Sequence, residues 1–282
     1  MDWKDRLFIP DGEEEGRAVA RTTHLAVAAH QDDIEFMAYA PISECFGKKE
    51  LWFCGVVAGD GAGSPRSGLY ADCSDEDMKK IRAREQKKAA VVGEYGSLFL
   101  LGHPSSQIKD PDDAAVTEEL AEIFRAARPR FVYLHNPADR HDTHLGTAVK
   151  AIAALRTLKS GERPERVFGC EVWRDLDWLC EEDKILLDCS ARPNLARALS
   201  GVFDSQIQGG KRYDLAAEGR RTANATFSQS HACDRFEGLN YAMDLTPLMK
   251  DPGLKISDFV DEKIGKFRAQ VRERAARLAG EA

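Results

Sequence analysis

The feature that most constrains this chain is a pattern repeated through its first half. Short, almost wholly apolar runs stop abruptly at polar residues and alternate with stretches of helical periodicity. The runs are residues 23–30 (THLAVAAH), 51–58 (LWFCGVVA), 97–101 (SLFLL) and 130–135 (RFVYLH). Between them, residues 75–95 mix charged and apolar side chains at helical spacing. Residues 114–127 place Val116, Leu120, Ile123 and Phe124 on one face, and Leu145, Ala148, Val149, Ile152 and Leu155 form another stripe after His144. Strands that are apolar on both faces need cover on both. The alternation therefore predicts βαβ units in a mostly parallel sheet between two helix layers, a Rossmann-like α/β three-layer sandwich. Ligands bind such sheets beyond the carboxyl ends of the strands.

The second half is less regular. Residues 167–173 and 185–189 read as further strands, and residues 194–203 and 259–278 as helices. The last of these is charged and amphipathic, a solvated surface element or a homo-oligomer contact. The expectation is a single α/β domain over residues 1–282, with a motif-bearing core at 20–160 and an α/β extension at 165–282 on the substrate side.

Charge and composition exclude several partners. Lys and Arg number 40 against 47 Asp and Glu, for a net charge of −7, and no basic stripe runs through the chain. Nucleic acid and anionic membrane are therefore not expected as main partners. No apolar stretch approaches the roughly 20 residues that cross a bilayer, and residues 1–21 carry no signal-peptide core. The seven cysteines form no CxxC pair and read as reduced thiols, so a cytoplasmic location is expected.

Two polar clusters sit at strand ends. His30-Gln31-Asp32-Asp33-Ile34-Glu35 follows the first run. Its aspartates have a plain alternative reading as caps on the next helix. Asp139-Arg140-His141-Asp142-Thr143-His144 follows the fourth run, with His141 and His144 on one helical face and Asp142 as an alternative N-cap. A parallel sheet brings both clusters together. Imidazole and carboxylate are ligands that zinc favours, so His30, Asp33 and His144 are expected to hold zinc (Zn2+), with Fe2+ as the alternative, and to leave one position open for water. Two neutral imidazoles and one carboxylate leave the ion positive, which makes that water acidic. Asp32 is the expected general base, and His141 the group that steadies the oxyanion.

HQDDIE resembles the AHPDDE motif of the PIG-L/LmbE-like zinc deacetylases, which remove acetyl groups from N-acetylglucosamine-type substrates, and RHDTH resembles their RHPDH motif. The resemblance covers roughly residues 20–160. It implies an LmbE-like fold and a small-molecule N-acetylated substrate. Carried over residue by residue, it makes His30, Asp33 and His144 the metal ligands, Asp32 the base and His141 the oxyanion-stabilising histidine. Gln31 stands in place of proline, Ile34 in place of glutamate and Thr143 in place of the aspartate that tunes the neighbouring histidine.

Weaker signals lie elsewhere. Residues 59–68 fail the GxGxxG template, since Arg66 holds the last glycine position and Pro65 interrupts. They read as a rim loop in which Arg66 contacts substrate or is simply solvated. His103, at the end of the third run, and Arg140 are expected to line the pocket. Residues 203–213, with Gly209-Gly210 beside Lys211 and Arg212, read as a solvated loop, with recognition of an anionic or sugar group as the alternative. His231 is a weaker pocket candidate.

The leading reading is a zinc-dependent amidohydrolase. The same ligands also suit a non-haem iron oxygenase, and the motif departures leave room for a sugar-binding protein without chemistry.

Overall fold

The computed structural model describes residue 3 and residues 5–281; Met1, Asp2, Lys4 and Ala282 lie outside the described residues. The strands are β1 Leu7–Phe8, β2 His24–Ala28, β3 Phe53–Gly59, β4 Ser97–His103, β5 Phe131–His135, β6 Arg166–Cys170, β7 Ile185–Asp188 and β8 Leu239–Asp244. Among the described residues they form an eight-stranded sheet in the order β1-β4-β3-β2-β5-β6-β8-β7. The five strands β4, β3, β2, β5 and β6 run parallel. β1 at one edge and the β8–β7 pair at the other are antiparallel.

Side-chain alternation along the strands builds two apolar layers. Leu25 and Val27 of β2 join Cys54 and Val56 of β3 under the helices Glu15–Ala20, Ala115–Ala127 and Asp142–Arg156. Ala26, Ala28, Phe53 and Val57 face the opposite way, under the helices Tyr39–Cys45, Asp75–Val92 and Pro193–Gly201. The expected mostly parallel three-layer sandwich is thus present. In the helix Ala115–Ala127 the stripe Val116, Leu120, Ile123 and Phe124 is at most 1% exposed. Burying each such side chain contributes roughly 1.5–3 kcal/mol.

The strand order reverses between β2 and β5, which lie side by side, so a crevice opens at their carboxyl ends. Gly59 closes the neighbouring strand end. Its amide donates to the Ala29 carbonyl at 2.9 Å, and a Cβ there would lie 2.4 Å from that oxygen. No larger residue fits.

Three expectations change. The run 167–173 leaves the sheet at Cys170, because the Glu171 carboxylate turns inward to accept the amides of Leu176 and Tyr241. β8 and the helix Tyr213–Thr226 are additions to the expected elements. Asn240 obscures β8, a polar residue that is buried because Arg221 donates to its side-chain oxygen. Residues 203–213 are not a solvated loop: Phe203, Ser205 and Gln206 are buried, and the amide and hydroxyl of Ser205 both donate to Glu85.

His24, buried beside the Phe131 and Tyr133 rings, gives a pH prediction. Burial, reinforced by Arg130, lowers its pKa from 6.5 to about 4. The unfolded chain therefore takes up the proton first. The stability His24 contributes is complete above pH 6.5 and declines as pH falls toward 4, by up to about 3 kcal/mol. Urea unfolding at pH 7.5 and pH 5 is expected to show this loss, and His24→Leu to reduce it; an unchanged pH slope in the variant removes His24 as the cause. No helix among the described residues is long and apolar enough to cross a membrane.

Candidate metal centre and pocket

β2 ends at Ala28, and the chain turns through Ala29 and His30 into the helix Asp33–Met37. His135, the last residue of β5, is fully buried, and its Nε2 accepts the Ala29 amide at 2.9 Å. This bond ties the two strand ends together. It also requires a neutral imidazole, in line with burial, which lowers the His135 pKa to about 3. After β5 the chain enters the helix Asp142–Arg156, whose first turn carries the fully buried His144.

Three donor atoms from these segments converge. His30 Nδ1 lies 3.1 Å from Asp33 Oδ2 and 3.2 Å from His144 Nε2, and the last two are 3.3 Å apart. Donors about 2.1 Å from one tetrahedral ion are separated by about 3.4 Å, so the triangle fits a divalent cation. The electrostatics call for positive charge at the same point. Burial would lower the His144 pKa, yet the Asp33 and Asp139 carboxylates raise it to about 9. Burial likewise opposes ionisation of Asp33, but His144 and His30 hold it well below the usual carboxylate range.

The donors are fixed by their neighbours. Asp33 Oδ2 also accepts the His30 amide at 2.8 Å. Asp139 Oδ2 accepts from His144 Nδ1 at 3.3 Å and from the Trp173 amide at 3.2 Å, while its Oδ1 accepts the His141 amide at 3.1 Å. A proton held on Nδ1 by Asp139 leaves the Nε2 lone pair free for a cation.

Neither aspartate of the first cluster caps its helix through its side chain. Asp32 has φ 99°, a strained conformation for a non-glycine residue, at a cost of roughly 1–3 kcal/mol. Its amide donates to Gln86 Oε1 at 3.0 Å, and its carboxylate accepts from Arg82 Nη2 at 2.9 Å. Burial pushes the Asp32 pKa up to about 6; Arg82 opposes the rise and Asp33 adds to it. Asp142 likewise makes no cap, since His141 is the N-cap residue of its helix.

Arg82 is buried and also bonds Glu85 and the Gln31 carbonyl. Arg82→Met should cost about 3–5 kcal/mol, because Asp32 and Glu85 then lose their buried counter-charge. Denaturant unfolding checks this, and a cost below about 1 kcal/mol contradicts it.

The crevice is a cavity of about 460 Å³. Its lining includes His30, Asp32, Asp33, Arg82, Arg140 and His141 together with the aromatic side chains of Phe36, Trp173 and Tyr213. His141 stacks on His144 at 4.5 Å; burial, together with His144 and His30, keeps it neutral by lowering its pKa. The helix Tyr213–Thr226 is pinned to the site by buried Arg221, which donates to the carbonyls of Glu35 and Phe36 at 2.7 and 3.0 Å.

Two expected pocket residues are elsewhere. Arg66 is held by Asp75 and the Ala62 carbonyl, both at 2.6 Å. His103 is buried between Gln107 and Glu119. Neither is among the lining residues, because each already has a partner that directs it away. His231 does not line the pocket either. The motif departures have local explanations. Ile34 is a fully buried core residue, and Glu35 is bonded by Gln86 and Tyr95, both at 2.7 Å. Where Thr143 replaces an aspartate, Asp139 supplies the carboxylate that orients a histidine.

Solved structures share this architecture. A conserved protein from Thermus thermophilus is 20% identical with TM-score 0.63, over 83% of this chain and 99% of that one. The 4-carboxy-2-hydroxymuconate hydratase GalB from Pseudomonas putida KT2440 is 18% identical with TM-score 0.59, over 79% and 96%. The N,N'-diacetylchitobiose deacetylase from Pyrococcus horikoshii is 15% identical with TM-score 0.59, over 82% and 88%. At these identities the likeness establishes the fold and leaves activity to the site. No curated protein matches the sequence. Residues 25–155, which contain every donor of the triangle, match the family model PIG-L: GlcNAc-PI de-N-acetylase.

Proposed function

We propose that the protein is a metal-dependent N-deacetylase acting on an N-acetylated, sugar-type small molecule. The observation that carries this reading is the His30–Asp33–His144 triangle opening into the same cavity as Asp32. The PIG-L match and the deacetylase fold of the Pyrococcus protein support it.

In this reading His30, Asp33 and His144 hold a divalent cation, zinc by its preference for such donors. Such a cation supplies Lewis acidity, polarising an acyl carbonyl and making water acidic enough to attack near neutral pH. Asp32 takes a proton from the attacking water and passes it to the departing amine, a task suited to a carboxylate whose pKa burial raises toward neutrality. His141, neutral and facing the cavity, donates to the carbonyl oxygen as negative charge develops there. Asp139 keeps His144 in the tautomer that presents Nε2.

The test is acetate release from a panel of N-acetylated amino sugars, with and without chelator. Release that chelation abolishes and added zinc restores is expected. GalB carries a hydratase activity on the same fold, so an unsaturated acid belongs in the panel as well. Hydration of that acid without acetate release from any amide would overturn the reading.

A further inference from the structure

The helix Asp75–Val92 turns Arg82, Glu85 and Gln86 inward, and Gln86 is fully buried. A buried amide must place both of its ends. Gln86 Oε1 accepts the Asp32 amide at 3.0 Å, and its Nε2 donates to Glu35 Oε1 at 2.7 Å. Tyr95 donates its hydroxyl to the same Glu35 oxygen, also at 2.7 Å. Between an N–H and a carboxylate, one orientation of an amide side chain satisfies both. Glu35 therefore keeps the Gln86 oxygen aimed at Asp32.

Arg82 and Gln86 stand one turn apart on the same helix face. Arg82 Nη2 donates to the Gln31 carbonyl while Gln86 accepts the Asp32 amide, so one helix grips a single peptide unit at both ends. The plane of that peptide sets φ of Asp32, and at 99° it is strained for a residue with a side chain. Relief requires the peptide to turn. Turning would break the bond to the Asp32 amide and withdraw the Gln31 carbonyl from Arg82 Nη2, the atom that also holds Asp32 Oδ2. The strain is comparable to what one buried hydrogen bond can offset. Losing the Gln86 end thus tips the turn toward relaxation. The metal donors are braced separately, by the His30 amide on Asp33 and by Asp139 on His144.

We propose that Gln86 is a positioning residue for the reaction: its grip on the Gln31–Asp32 peptide holds Asp32 in the conformation that presents a carboxylate to the cavity. This goes beyond the deacetylase reading but rests on it, since Asp32 is the base only there. Gln86 is not among the residues that line the cavity, so it acts through Asp32 and touches no substrate. Its loss slows proton transfer without weakening substrate binding.

Gln86→Met, made in the zinc-loaded protein, keeps the side-chain length and removes both hydrogen bonds. With an N-acetylated amino sugar as substrate, kcat is expected to fall roughly tenfold to a hundredfold while KM and zinc content hold within about twofold. In an Asp32→Asn background the same substitution should change the residual rate by less than about twofold, because no base is left to misplace. An equal fall in both backgrounds, or a kcat within about twofold of wild type, overturns the proposal. Loss of zinc along with activity overturns it too, because the donors would then depend on the same peptide. If Gln86→Met does not fold, Gln86→Asn, one methylene too short to reach both partners, takes its place under the same criteria. If wild type releases no acetate from any substrate, the deacetylase reading fails, and crystal structures of wild type and variant decide the grip. Asp32 relaxing out of positive φ in the variant supports it; an unchanged turn overturns it.

Discussion

Asp32→Asn is expected to lower acetate release by roughly a hundredfold to ten-thousandfold while the protein keeps its fold and its metal. Asparagine has the same shape and tolerates positive φ better than most residues, so the strained turn survives. Its amide oxygen can still accept from Arg82, and Glu85 remains as that guanidinium's counter-charge. What disappears is a carboxylate able to take and return a proton. Three measurements on one preparation check this: kcat, metal content by elemental analysis, and thermal midpoint. Wild-type turnover in the variant would remove Asp32 as the base. Loss of metal together with activity would instead make it a ligand.

His144→Ala is expected to abolish metal binding. His144 is fully buried between Asp33 and Asp139 and is stacked on His135 at 3.9 Å. Its removal takes away one donor and leaves two buried carboxylates without their closest positive partner. Bound zinc should drop from near one equivalent to background, with a stability loss of about 3–5 kcal/mol for the uncompensated charges. Because the variant could also fail to fold, Asp139→Asn gives an independent reading. It preserves the volume and an acceptor for Nδ1, and should weaken zinc affinity roughly tenfold to a hundredfold. Unchanged affinity in Asp139→Asn would show that this carboxylate does not orient the ligand.

The layered sheet was legible because burial on both faces writes itself into composition: residues 23–30 and 51–58 cannot be half-solvated strands. The donor triangle was legible for a related reason, since polar residues that follow a buried strand directly must emerge at its carboxyl end. Partners drawn from distant segments were not. Arg82 sits 50 positions from Asp32 on a helix whose pattern gives no sign that one arginine turns inward. His135 looked like the end of a strand, and only the pairing of β2 with β5 shows that its ring reaches the Ala29 amide. The side of the cavity lined by residues 211–220 was hidden most. Lys211 and Tyr213 lie in a stretch whose glycines and charges suggest solvent, and Ser205 is drawn inside by Glu85, a contact between residues 120 positions apart.

Arg221 has a consequence for substrate length. By clamping the helix Tyr213–Thr226 onto backbone carbonyls two and three residues beyond Asp33, it sets the gap between the donor triangle and the side of the cavity that Tyr213 lines through main-chain geometry. That gap behaves as a ruler. For the proposed deacetylase, a compound with the right groups at the wrong separation is expected to react poorly, because side-chain repacking does not stretch that distance.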